Sequence, residues 1–153
     1  MTSERPVDPS RLAGEITASD FDGWSDAVRA DFESNARNPI VGSKLLSEND
    51  RVRVWSIHLE PGERLGAHRH CLDYFWTALA AGHGRQHNDD GTTRRVSYSA
   101  GETRHLDFGP GEYLLHDLEN VGDSPLSFLT VEHQPSARTP ADPNHPSPTK
   151  GTR

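Results

Sequence analysis

Between Gly42 and His133 the chain runs in short stretches of alternating apolar and polar residues, broken by Gly, Pro, Asn and Asp. Alternation with period two is the mark of a strand with one face buried. Strands are predicted at 43–47, 51–59, 74–79, 85–88, 92–98, 103–108, 112–118 and 126–131, with a further extended segment around His68. Turn residues separate them at Pro61-Gly62, Asp89-Asp90-Gly91, Gly101-Glu102 and Gly109-Pro110-Gly111. Short strands at this spacing predict an all-β sandwich or barrel. No βαβ alternation and no glycine-rich nucleotide loop interrupts them.

Upstream the period changes. Phe21, Trp24, Val28 and Phe32 fall on one stripe of a helix. Ser19-Asp20-Phe21-Asp22 offers a capping hydroxyl and an acid three residues on, which predicts the helix start there. Asn38-Pro39 ends it. So short a helix is not stable alone, and its stripe must cover the barrel or a partner. Pro6, Pro9 and Gly14 make residues 1–18 read as a flexible arm, leaving 19–41 as helix and linker and 42–133 as the barrel. Five prolines among polar residues make 134–153 a disordered tail.

Composition narrows the function classes. The 153 residues include 13 Gly and 11 Pro, with 32% hydrophobic content, which suits a turn-rich β domain. The net charge of -7 is scattered, so no basic footprint for nucleic acid is present. No apolar run reaches membrane-span length. The first residues lack the apolar core of a signal peptide, and the single Cys71 excludes an internal disulfide; both lead to the expectation of a reducing cytoplasm.

Candidate chemistry lies in the histidines. His68 and His70 are two apart on an extended segment and share a face. His116 sits in a second strand of similar pattern. Three neutral imidazoles suit a divalent transition metal and leave a position open for water or substrate. The other reading is surface histidines, since nine in the chain give some close spacing by chance. Tyr74 and Trp76 share the face of His70, as a phenol for proton transfer and an indole wall. His105 is a candidate general base or substrate contact, and Arg64 a candidate partner for an anionic substrate.

Gly62, five residues, His68, one residue, His70, with Pro61 upstream and Gly82 beyond, resembles the first motif of the cupin superfamily. Gly101, Pro110-Gly111, His116 and Asn120 resemble the second, although Gly109-Pro110-Gly111 replaces its Pro-x-Gly and the gap to the histidine is wider. The resemblance covers about residues 42 to 133 and implies a double-stranded β-helix (jelly-roll) barrel with an N-terminal helix. It implies Fe, Zn, Mn or Ni held by His68, His70 and His116. The glutamate expected after the second histidine is replaced by Tyr74 and Phe75, with Asp73 one residue earlier. The ligand set is therefore three histidines, or three histidines and Asp73. Cupins of the three-histidine type imply a dioxygenase-like or lyase-like enzyme on a small organic acid or polar metabolite, with Tyr74 or His105 handling the proton. The alternative is a non-catalytic small-ligand-binding or sensing module. Val52 to Trp55, Pro61 to Arg64 and Asp73-Tyr74 also resemble small single-domain cupins grouped around β-alanine degradation. Barrels of this type pair, so a homodimer is expected. Asn120 reads as a turn-former.

Overall fold

The alternating runs pair into two mostly antiparallel sheets that face each other in the computed structural model, which describes residues 3–135. Eleven strands form in chain order: β1 (Arg5–Pro6), β2 (Glu15–Ala18), β3 (Lys44–Glu48), β4 (Val52–Leu59), β5 (Arg64–His70), β6 (Tyr74–Ala78), β7 (Gly82–His87), β8 (Thr93–Tyr98), β9 (Thr103–Leu106), β10 (Glu112–Asn120) and β11 (Leu126–His133). One sheet runs β1-β10-β7-β8-β2, with β5 also paired to β10. The other runs β3-β4-β11-β6-β9. The inner faces close over two apolar clusters. One gathers Ile57, Leu59, Val96, Tyr98, Leu126 and Phe128. The second gathers Val7, Tyr74, Leu106 and Leu114. This is the all-β two-sheet barrel that the strand spacing predicts, in the jelly-roll form that the cupin resemblance implies.

The helix α1 spans Asp26–Ser34, shorter and later than the stripe predicts. Its cap is Ser25, whose Oγ accepts from Val28 N at 3.1 Å. The Ser19 signal fails because Asp20 and Phe21 adopt left-handed φ of 57° and 63°. Phe21 N donates instead to Gly91 O at 2.9 Å, tying this loop to the β7–β8 hairpin. Gly91, at φ 90°, is required there, because a Cβ would meet the Phe21 ring at 2.9 Å. The rest of the stripe behaves as expected. Trp24, Val28 and Phe32 pack on Ala67, Leu115 and Tyr113, the outer face of β5 and β10. Burying Phe32 alone contributes about 2 kcal/mol.

Residues 5–18 are woven into the barrel and are not a loose arm. β1 lies parallel to β10, Val7 is 2% exposed in the core, and β2 pairs antiparallel with β8. Between them a 3-10 turn at Pro9–Arg11 crosses one end of the barrel. A two-residue strand anchored by a single valine leaves no periodic trace in the sequence. At the other end, Gln134 N donates to Arg51 O at 2.8 Å, so the ordered barrel reaches one residue past the predicted boundary. The remainder of the predicted tail, 136–153, lies outside the described residues.

Candidate metal centre

β5 and β10 carry the three histidines. Their antiparallel register sets His116 opposite His68 and Leu114 opposite His70. Strict alternation fails on β5, where His116↔His68 is followed by Leu118↔Leu65. The extra residue is a β-bulge at Gly66-Ala67. It turns Leu65, His68 and His70 all toward the cavity and leaves Arg64 outside. Asp31 of α1 holds the bulge, its Oδ2 accepting from Ala67 N at 2.8 Å. A Cβ on Gly66 would press on the same carboxylate at 3.2 Å.

His68, His70 and His116 are 2%, 2% and 8% exposed, and their ligand atoms lie within 4.8 Å of one another. His68 Nδ1–H donates to Gly66 O at 2.8 Å, and His116 Nδ1–H to Gln86 Oε1 at 3.0 Å. Those bonds assign the protons to Nδ1 and leave Nε2 of both rings as the free lone pair. His70 Nδ1 is buried with no partner. Burial lowers the pKa of His68 and drives those of His70 and His116 well below the ordinary value, with repulsion from the neighbouring imidazoles adding to the last two. Three neutral imidazoles and an orphaned ring nitrogen are the donor set a divalent transition metal requires.

The walls come from both sheets. Tyr74 stacks on His70, ring centroids 4.1 Å apart and planes 11° apart. It reaches the cavity because the chain crosses from one sheet to the other between His70 and β6, not through continued alternation. Burial raises its phenol pKa far above the ordinary value, so the hydroxyl stays protonated. Ile57, Leu65, Trp76, Leu118 and Phe128 make an apolar lining around a small cavity that opens to solvent.

The fourth candidate ligand does not join the three. Asp73 is exposed, and its Oδ1 accepts from Phe108 N at 2.8 Å, capping a loop. His105 is likewise displaced. It pairs across from Phe75, on the face of β6 opposite Tyr74, with ring centroids 5.2 Å apart. Arg64 is already committed to Asp117 at 2.7 Å and Asp31 at 2.8 Å. Cys71 is exposed, outside the cavity. Asn120 closes a turn, its Nδ2 donating to Leu59 O and Ser124 O and its Oδ1 accepting from Gly122 N.

Gln86 was not among the sequence candidates. Its amide takes the His116 proton on one side and donates to Tyr98 Oη at 3.2 Å on the other. A signal was available. Gly82, Gly84 and Gln86 recur with period two on a strand with no apolar inner residue, which marks a cavity wall rather than core. Gly84 admits Leu118 and Tyr98, which a Cβ would meet at 2.9 and 3.1 Å.

No family model matches the chain. Oxalate decarboxylase OxdC of Bacillus subtilis (strain 168) is 32% identical over 77 residues, covering 49% of this chain and 19% of that protein. The chain thus matches about a fifth of the length of this curated relative. A cupin domain from Bordetella pertussis Tohama I superposes with a TM-score of 0.54 at 22% identity, covering 64% of this chain and 96% of that one. A protein with a double-stranded β-helix domain from Klebsiella pneumoniae subsp. pneumoniae MGH 78578 gives 0.49 at 23%, covering 67% and 81%.

Proposed function

Because this chain has the double-stranded β-helix fold of the cupin superfamily, we propose that His68, His70 and His116 hold a divalent transition metal in an enzyme acting on a small organic acid. One observation carries the reading: three buried, neutral imidazoles converge on a cavity that also holds a protonated phenol. The bound metal would supply Lewis-acid polarisation or redox activation in the positions that three ligands leave open. The likeness to an oxalate decarboxylase favours carbon–carbon cleavage over the dioxygenase-like alternative.

The chain's own residues supply the rest. The apolar walls lower the local polarity and strengthen electrostatic contacts beside them. Gln86 fixes the tautomer of His116, and Gly66 O that of His68. The Tyr74 hydroxyl has no hydrogen bond to protein among the described residues, so it is free to donate to charge developing on the substrate. No carboxylate lines the cavity among the described residues, which suits loss of CO2 better than a reaction needing a side-chain base.

The test is turnover of small carboxylic acids, oxalate included, by full-length protein loaded separately with Mn, Fe, Zn or Ni. Metal-dependent loss of acid with release of CO2 is expected. Acid that binds but is recovered unchanged with every metal would make the chain a ligand-binding module instead.

The same reading includes a homodimer. α1 spends its stripe on its own barrel, while Leu45 and Leu46 on the edge strand β3, and Ile40 ahead of it, stay exposed. A solution mass of two chains is expected, falling to one in Leu46→Lys; a single-chain mass for the wild type would overturn it. An exposed, unpaired Cys71 agrees with the expected reducing, cytoplasmic setting. Among the described residues no helix is long and apolar enough to cross a membrane. The likeness to cupins grouped around β-alanine degradation agrees with a small acid and specifies no substrate.

A further inference from the structure

Beneath residues 9–14 lies a second small cleft, open to solvent. Arg11, Leu12 and Ala13 roof it, and Arg104 and Leu106 of β9 form its side. Its inner end is bordered by Tyr74, Trp76, Gln86 and His116, the residues that also border the histidine cavity. The two spaces therefore adjoin at the candidate metal centre, with these four side chains between them.

Their chemistry differs. The histidine cavity has no Arg or Lys among its described lining residues. The outer cavity has two guanidiniums. Arg104 pairs across from Trp76 and shares the face of β9 that turns Leu106 to Tyr74. Its one hydrogen bond among the described residues is a long one, 3.3 Å to Arg11 O, and it has no ion pair there. Arg11 donates to Asp107 O at 2.8 Å, and its ion pair with Glu112 is stretched to 3.8 Å. Behind the roof, Arg94 is 5% exposed and likewise has no ion pair among the described residues. Its Nη atoms donate to Pro9 O at 3.0 Å and Gly14 O at 3.2 Å, while its Nε is buried with no partner. Three guanidiniums thus face or fasten one short strap, in a chain whose net charge is -7. Arg94 alone is buried; Arg11 and Arg104 are exposed at the mouth of the cavity, where two like charges beside each other draw an anion in. A guanidinium fork matches a carboxylate in particular.

We propose that the cavity under residues 9–14 is an anion subsite, in which Arg104 selects substrates carrying a second carboxylate remote from the metal. This rests on the small-acid reading and specifies it: the substrate is a dicarboxylate, one end at the histidines and the other at the strap. Arg11 assists, and Arg94 pins the roof.

The experiment is calorimetric binding of succinate, glutarate and adipate, against butyrate, pentanoate and hexanoate, to the full-length zinc-loaded protein. At least one diacid is expected to bind roughly 10-fold tighter than its monoacid partner, the order of one charge-assisted hydrogen bond. Arg104→Gln is expected to erase that preference while metal content and monoacid affinity stay constant; Arg104→Lys keeps part of it. Equal affinities in the wild type, or a preference that survives Arg104→Gln, overturns the subsite and leaves the small-acid reading intact. Absence of binding by every acid removes that reading and the subsite with it.

Discussion

His116→Ala is expected to abolish stoichiometric metal binding and leave the barrel folded. His116 supplies one of three converging nitrogens, and among the described residues no further ligand joins the group. Removing an outer partner of a ligand typically costs roughly 10–100-fold in affinity, and removing the ligand costs more. The fold survives because His116 lines a cavity rather than the apolar clusters, and its neighbour Gln86 keeps its bond to Tyr98. Thermal melting separates the two effects. A ligand at 100 times its Kd stabilises a protein by about 2.7 kcal/mol, so added metal raises the wild-type Tm. The variant melts near the metal-free wild type and does not respond. Asp73→Ala serves as the control, since its carboxylate sits on Phe108 N and metal content is expected to stay at the wild-type level. Metal per chain by elemental analysis decides. Equal content in wild type and His116→Ala would overturn the three-histidine centre, and loss of metal in Asp73→Ala would restore the fourth ligand.

β3 is exposed along its whole length, but strands such as β4, β8, β10 and β11 are legible because a buried face writes period two into the sequence, and Asp89-Asp90-Gly91 marks its hairpin directly. The paired histidines were legible for the same reason. What escaped depends on contacts between segments far apart in the chain. The β5 bulge exists because Asp31 accepts from Ala67 N, and nothing near Gly66 announces an aspartate 35 residues upstream. Alternation across it would put Leu65 outside and Arg64 inside. The structure does the reverse, which is why Arg64 looked like a substrate contact and is an internal ion pair. Counting from His70 puts Tyr74 on the metal side and Asp73 off it, and the structure has them so, although the chain changes sheets between His70 and β6. The helix start is displaced by a distant contact as well: the hairpin at Gly91 holds Phe21 in a left-handed conformation, and Ser25 caps the helix in place of Ser19.

Asp117→Ala is expected to give the largest loss of stability. Asp117 is 0% exposed and lies opposite the β5 bulge, next to His116. Its carboxylate accepts from Arg64 Nε at 2.7 Å, from His87 N at 2.6 Å and from His87 Nδ1 at 2.8 Å. Arg64 continues to Asp31, and Asp31 to the Ala67 amide. One side chain thus joins β10, β7, β5 and α1 on the outer face of the sheet that holds the histidines. Truncating it leaves the Arg64 guanidinium without its buried partner and two His87 donors unsatisfied. Breaking one partner of a buried ion pair costs about 3–5 kcal/mol. For a chain of this size that lowers Tm by roughly 10 °C or more. Asp117→Asn separates charge from shape, since it preserves an acceptor and removes the negative charge; a smaller loss is expected. The metal centre responds as well. His116 is the adjacent residue and His68 sits across the bulge, so a loosened network lets both rings drift. Metal affinity is expected to fall roughly 10–100-fold in Asp117→Ala. Denaturant melts of metal-free protein isolate the folding effect, and metal titration of the folded fraction isolates the positioning effect. If Asp117→Ala melts with the wild type, the network is not what holds the bulge; if it melts early but binds metal unchanged, the two imidazoles are placed by Gly66 O and Gln86 alone.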